Sequence, residues 1–282
     1  MASGDAPVDG NPGHGSAGHG GFVQFPAATF NADPASLGAY DRVHSKWLPV
    51  FRAWVAPDGN HYAYSVNPVG PGPVTGTIHI VDVTTGADRS ILVPAPSNVI
   101  DYESEGVYVV RVVPSSGAPP SGLTLVDPAA GTFKQIATSG IWTAVGGGFA
   151  WGADLDPSIA PPAGGGPNAA NRVRKLDLKT GAAASVAQYP GMSVQVLGVD
   201  SVNTIVSAMS GSDYSVARLD GTKMFIGPVA NSNPTAPIVV DGKAIWFSSA
   251  SGTVWRWDDP ALGIHQAATS SLQTAVIAGA CR

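Results

Sequence analysis

The sequence predicts an all-β domain, a β-propeller of six four-stranded blades, and three observations carry that expectation. The composition favours short strands and turns over helices, one turn motif recurs at the spacing of a single blade, and alternating apolar segments flank each copy. Eighteen Asp stand against two Glu (Glu103 and Glu105), and Lys occurs six times. Asp belongs to turns, whereas Glu and Lys populate exposed helix faces. With 35 Gly and 24 Pro in 282 residues, few stretches can hold a surface helix. The 44% apolar content is enough for one large core.

Charge narrows the functional classes. A formal net charge of −5 lacks the basic footprint that phosphate backbones require, which excludes a nucleic-acid partner. The densest basic run, Arg172-Val173-Arg174-Lys175, reads as a solvated strand start. The one cysteine, Cys281, has no intrachain disulfide partner and reads as a small apolar residue near the end of a strand. No apolar run approaches the ~20 residues of a membrane-spanning helix. Residues 1–21, rich in Gly, Pro and His, lack the apolar centre of a signal peptide and read as a flexible tether. His14 and His19 within it stand without further metal ligands.

The repeat is an apolar residue followed by Asp, with Gly four places after the Asp. Val81-Asp82-Val83-Thr84-Thr85-Gly86, Val126-Asp127-Pro128-Ala129-Ala130-Gly131 and Leu176-Asp177-Leu178-Lys179-Thr180-Gly181 are full copies. Leu219-Asp220-Gly221 is shortened, and Asp259 with Gly263 is the last. The Asp residues fall 45, 50, 43 and 39 apart, which suits one four-stranded blade per repeat. Each Asp is expected to cap a hairpin between a blade's third and fourth strands, with Gly at positive φ where the chain reverses. The earlier half of each unit reads as two more strands. These are Trp54 to Ala56 with the strand after Pro57-Asp58-Gly59, then Val99 to Tyr102 with Val107 to Val112, and Trp142 to Val145 with Phe149 to Trp151. Val194 to Val199 with Thr204 to Ser207, and Ile238 to Val240 with Ala244 to Phe247, complete the set.

The string Ala56-Pro57-Asp58-Gly59…Tyr62-Ala63-Tyr64, followed by Ile78-His79-Ile80-Val81-Asp82-Val83-Thr84-Thr85-Gly86, resembles the repeat of TolB-like, WD-repeat-like propellers. Ala56 stands where that family has Ser, and only the first blade keeps the whole pattern. The chain also resembles exported propeller proteins of soil bacteria, from which no catalytic residue carries over. The resemblance implies architecture and a cell-surface or exported setting in bacteria.

Closure of the ring removes open sheet edges. Phe22 to Phe25, Tyr40 to Trp47 and Leu272 to Ala280 read as strands that combine into a sixth, composite blade. Five blades with an N-terminal extension is the competing architecture. Residues 22–282 are thus expected to form one domain behind the 1–21 tail.

Chemistry is scarce by comparison. Trp151, Trp246, Trp255 and Trp257 lie in apolar strands and read as core. His44, His61, His79 and His265 occupy different repeat positions, so no shared metal centre is expected. No HExxH, paired CxxC, phosphate-cradling Gly loop or GxSxG elbow occurs. The irregular feature is loop length between second and third strands: Asn67 to Gly76, Pro114 to Ser121 and Asp154 to Asn171 are long in blades one to three. Long loops on a rigid scaffold are where binding resides. Asp154 and Asp156 on the longest loop are candidate binding residues and offer oxygen ligands of the kind a hard cation takes. Trp142 is a candidate apolar wall, and Asp101 a candidate carboxylate on an early strand. The expected function is a non-enzymatic, monomeric binding scaffold for a protein or cell-envelope ligand, with no cofactor and no metal. The alternative is a lactonase-like hydrolase or lyase at the channel mouth, drawing on Asp101, Glu103 and Asp154.

Overall fold

The computed structural model describes residues 39–41, 43–44, 46–67, 75–112, 120–162, 169–200, 203–210, 213–219, 223–229, 234–241, 244–249, 253–257 and 264–269. The tail at 1–21, the strands expected at Phe22 to Phe25 and Leu272 to Ala280, Cys281, and the turns at Asp220 and Asp259 lie outside the described residues, as does most of the first two long loops.

Among the described residues the only helical element is a 3-10 turn, Arg52–Trp54. All other regular structure is antiparallel sheet. A hairpin of β1 (Ala39–Asp41) and β2 (Lys46–Leu48) precedes a three-stranded sheet of β3 (His61–Val66), β4 (Gly76–Asp82) and β5 (Asp88–Val93). Four four-stranded sheets follow, each in sequential order. The second blade is β6 (Ser97–Glu103), β7 (Gly106–Arg111), β8 (Ser121–Asp127) and β9 (Thr132–Ala137). The third is β10 (Ala144–Gly146), β11 (Phe149–Asp154), β12 (Arg172–Asp177) and β13 (Ala183–Gln188). The fourth runs through β14 (Ser193–Asp200), β15 (Asn203–Ser210), β16 (Asp213–Leu219) and β17 (Lys223–Val229), and the fifth through β18 (Pro234–Asp241), β19 (Ala244–Ser249), β20 (Thr253–Trp257) and β21 (Ile264–Thr269).

The repeated Asp does what its chemistry suggests. Asp82 Oδ1 accepts the N–H groups of Thr84 and Thr85, Asp127 Oδ1 those of Ala129 and Ala130, and Asp177 Oδ1 those of Lys179 and Thr180, all within 2.6–2.9 Å. Gly86, Gly131 and Gly181 then reverse the chain at φ of +71°, +69° and +73°. Each turn joins a third strand to a fourth.

Among the described residues, sheets stack face to face through apolar clusters that link sequential neighbours. Ile78, Ile80 and Ile91 of blade one meet Val99, Val107 and Val109 of blade two. Tyr108, Val110 and Leu123 then meet Trp142, Val145 and Leu176 of blade three. Trp151 and Val173 pack on Val194, Val196 and Val206, and Leu197 and Val216 on Ile245, Phe247 and Trp257. Alternate side chains of a strand point to opposite faces, so β7, buried on both from Gly106 to Val110, has no charged residue before the exposed Arg111. The fourth strands β5, β9 and β13 form the exposed rim.

Three sequence expectations are corrected. Tyr40 to Trp47 is a hairpin rather than one strand, because Asp41 caps a turn by accepting the Val43 N–H at 2.9 Å and contacting His44 Nδ1. The first strand of blade one shrinks to a single bridge, Val55 to Tyr62. The chain there is held in the 3-10 turn by Trp54 N–H to Phe51 O and Val55 N–H to Arg52 O, and the Phe51 and Trp54 rings meet edge to face at 5.0 Å. Trp142 precedes β10 instead of opening it.

Candidate functional site

Register fixes which residues share a sheet end. His61 pairs with Asp82 and Val81 with Asp88, whereas Val66 pairs with Thr77 and Gly76 with Val93. The capped turns therefore lie at one end of each sheet and the long loops at the other. In blade three the loop end begins at Asp154, which pairs directly with Arg172; Gly152 pairs with Arg174. A side chain at Gly152 would collide with the Ile141 carbonyl, so glycine lets the chain before β10 pass close over the sheet.

This loop end holds a charged network. Arg172 Nε donates to Asp154 Oδ1 at 2.7 Å and its Nη1 to Asp156 Oδ2 at 3.0 Å, while Arg174 Nη1 reaches Asp154 Oδ2 at 3.2 Å. Ser158 N–H and hydroxyl donate to Asp156 Oδ1 at 3.0 and 2.6 Å, and Gln188 Nε2 to Oδ2 at 3.1 Å. The two Ser158 bonds, then Gln188 and Arg172, hold the Asp156 carboxyl below its ordinary range. Asp154 in turn holds the Arg172 guanidinium more firmly charged. Both carboxylates thus already face cations, and the oxygens a metal ion would use are engaged.

Asn171 anchors this loop. Its side chain is fully buried and acts as a peptide group: Oδ1 accepts the Asp156 N–H at 2.7 Å and Nδ2 donates to Asp156 O at 3.2 Å and to Ala160 O at 3.3 Å. Asn67 does the same between blades. Its Oδ1 accepts the Ser97 N–H at 2.8 Å and its Nδ2 donates to Ser97 O at 3.1 Å, fastening the end of β3 to the start of β6. Neither asparagine stands out in the sequence as a site residue, and no local motif marks them.

Three of the four candidate site residues come together. Trp142 joins Asp154 and Asp156 through Arg174, whose guanidinium lies 5.8 Å from the indole centroid. The indole is buried in the blade-two to blade-three cluster and donates Nε1–H to Ser139 O at 3.1 Å, so it supports Arg174 from beneath. Asp101 lies apart, in β6 toward the turn end. A bulge between Val99 and Asp101 redirects it. Its Oδ1 accepts the Tyr102 N–H and its Oδ2 the Val145 N–H, both at 3.0 Å. Burial pushes its carboxyl up to about 8, against the lowering effect of the Val145 N–H. Glu103 sits on the same strand two residues nearer the turn; the Asp101, Glu103 and Asp154 carboxylates therefore divide between opposite sheet ends.

A further constellation spans blade one. The rings of Tyr64 and His79 stack at 4.6 Å, and His79 Nδ1 lies 2.9 Å from Asp88 Oδ2 and 3.4 Å from Ser90 Oγ. Asp and Ser share the same imidazole nitrogen, so the relay of a nucleophilic triad, which uses both nitrogens, is not formed. Among the described residues no three of His, Cys, Asp and Glu are placed to hold a metal ion, and no helix is long and apolar enough to cross a membrane.

The stacked sequential sheets define a β-propeller, and solved structures share that architecture. The propeller domain of the Trilobed protease from Pyrococcus furiosus matches at a TM-score of 0.54 and 11% identity, over 77% of this chain and 70% of that one. An acylaminoacyl peptidase in complex with a chloromethyl ketone matches at 0.52 and 14%, over 77% and 38%. TolB from Acinetobacter baumannii is similar at 0.49 and 16%, over 76% and 54%, so this chain spans about half the length of that TolB. No protein-family model and no curated protein matches the chain.

Proposed function

We propose that the protein is a non-enzymatic binding scaffold, exported or displayed at a bacterial cell surface, which recognises a protein or cell-envelope ligand as a monomer through the loop end of blades one to three. The observation that carries this reading is the Asp154–Arg172–Asp156–Arg174 network. It presents alternating charges in fixed geometry, with Asn171 and Gln188 holding the loop and Leu155 exposed beside it. Charge-assisted bonds pre-ordered in the free protein reduce the entropy lost on binding and confer specificity. Capture from a bacterial envelope extract tests it. Leu155→Asp and Asp154→Lys should each remove the partner, while Thr85→Lys, at the opposite end, should retain it. Equal capture by all three overturns the reading, and so does steady turnover of lactone or ester substrates.

The six-blade ring belongs to the same proposal, with residues 1–21 as a tether and 22–282 as one domain. Leu48, the last residue of β2, and Val50 just after it pack with Val55 and Val83 on the face of blade one turned away from blade two. A preceding blade occupies that face in a closed ring, and the hairpin with the residues before it and residues 272–280 supply one. Deleting 272–282 should lower the unfolding midpoint far more than deleting 1–21; equal midpoints favour five blades.

A further inference from the structure

At the turn end, remote from the loop-end network, blades one and two leave a cleft of about 380 Å³ between them. That volume lies in the range of small-molecule pockets. Its walls are mostly apolar: the buried Ile80 of β4 and Tyr102 of β6 on the inside, and the more exposed Pro128 and Ala129 at the lip. Two nitrogen-bearing side chains complete it, Arg89 from β5 and His61 from β3.

Arg89 is held in place. Its Nη1 donates to Pro128 O at 2.6 Å and to Ala129 O at 2.8 Å, which uses both hydrogens of that nitrogen. Its Nη2 would lie only 3.1 Å from a Cβ at Gly131, so the glycine that reverses the chain also lets the guanidinium rest on the turn. The hydrogens on Nε and Nη2 meet no acceptor among the described residues. A guanidinium offers carboxylates a two-pronged fork, and this one has the Nε–Nη2 edge to give. His61 Nε2 stands 3.9 Å from Asp82 Oδ2, too far for a hydrogen bond, and is half-exposed. The Asp82 carboxylate in the lining engages its own turn through one oxygen: Oδ1 takes the Thr84 and Thr85 N–H groups and the Thr85 hydroxyl, which hold the group below its ordinary range, while Oδ2 lies on the His61 side.

We infer that this cleft is a binding site for a small monocarboxylate carried on a flat apolar body. The carboxylate lies on the Nε–Nη2 edge of Arg89 and within reach of His61, and the body lies between Ile80, Tyr102 and the Pro128–Ala129 lip. Cleft and network occupy opposite ends of the blades, so the site is independent of the loop-end partner.

Benzoate is the probe, benzamide its uncharged counterpart, and titration followed by NMR shifts of the Arg89 and His61 side chains the readout. Benzoate should bind with a dissociation constant on the order of 1 mM, and benzamide about tenfold more weakly or not at all. Arg89→Gln should remove the preference for the charged ligand. Ala87→Phe, at an exposed position bordering the cleft, should fill the space and abolish binding while leaving the melting temperature unchanged. Val186→Thr, exposed on the outer strand β13 of blade three, should alter nothing. Equal affinity for benzamide, retained binding in Ala87→Phe, or no response to benzoate at about 20 mM overturns the assignment.

Discussion

The Asp101 carboxylate of β6 accepts the backbone N–H of Val145 in β10 at 3.0 Å, joining the first strands of blades two and three through a side chain. The position is 8% exposed, so the bond forms where charge is expensive to bury. The folded protein consequently holds a proton on Asp101 up to about pH 8, while the unfolded chain releases it near the ordinary value. Between those limits the native state binds more protons than the unfolded one. The stability contributed by Asp101 therefore declines as pH rises from about 4 to about 8 and is level above that. We expect urea midpoints of the parent to fall across this window, and the parent-minus-variant difference for Asp101→Asn to carry the slope of roughly one proton. A difference independent of pH would show that Asp101 is ionised throughout.

Asn171 and Asn67 should behave alike despite lying in different blades, since each satisfies both backbone groups of one residue. Asn171→Ala leaves the Asp156 N–H and the Ala160 carbonyl in a buried setting without their partner, and a cost of about 2–3 kcal/mol follows. Asn67→Ala frees the Ser97 backbone at a joint between blades and should cost about the same. Chemical denaturation measures both. Asn171→Asp is the sharper comparison, because it keeps the acceptor for the Asp156 N–H, loses the two donors, and brings a third carboxylate to the network.

The glycine turns separate backbone strain from crowding. At Gly86 a Cβ meets nothing within 4 Å, and at Gly181 only the Ile136 carbonyl at 3.8 Å, whereas at Gly131 it meets Arg89 Nη2 at 3.1 Å. Gly86→Ala and Gly181→Ala should each cost about 1–2 kcal/mol, the price of a left-handed conformation in a residue with a Cβ. Gly131→Ala should cost somewhat more, because the guanidinium must also shift by a few tenths of an ångström against its bonds to the Pro128 and Ala129 carbonyls. Equal losses at all three sites would mean that the guanidinium adjusts without straining its bonds to the Pro128 and Ala129 carbonyls.

These turns were the most legible part of the chain. Asp, the residues after it and Gly lie within five positions, so their chemistry is local and can be read without the fold. The bulge that turns Asp101 inward is different: Ile100 adds one residue to an apolar run, and nothing in the run says where alternation slips. Arg172 and Arg174 read as solvated because the one acid near them in sequence, Asp177, belongs to the capped turn. Their partners Asp154 and Asp156 lie across the longest loop, whose length conceals the register that sets Asp154 opposite Arg172. The arginines were thus the missing half of a site whose carboxylates were visible. Trp142 was visible too, but its burial under Arg174 depends on Gly152 admitting the chain before β10, a contact between segments that no period announces.

Arg172 occupies the place a metal ion would take between Asp154 and Asp156, and removing it tests that equivalence. Arg172→Met leaves Asp156 with Ser158 and Gln188, and Asp154 with Arg174 alone, so two carboxylates face each other across a partly buried gap. We expect the melting temperature to fall by several degrees at neutral pH. The sign of the pH dependence follows from Asp156, whose carboxyl is held low in the folded state. The stability this confers is present above the ordinary carboxylate value and is lost as pH drops through the lowered one. The gap between parent and variant should therefore narrow only slightly in acid, because the Ser158 bonds, the larger cause, remain in the variant and Arg172 supplies the smaller part. Calcium supplies the complementary measurement, since oxygen ligands are what it takes and binding to the native state alone raises stability. Millimolar Ca²⁺ should raise the melting temperature of Arg172→Met and leave that of the parent unchanged, because in the parent the guanidinium already fills the position. Restoration in the variant that disappears on adding Asp156→Asn places the ion between the two carboxylates; the same shift in parent and variant places it elsewhere on the protein.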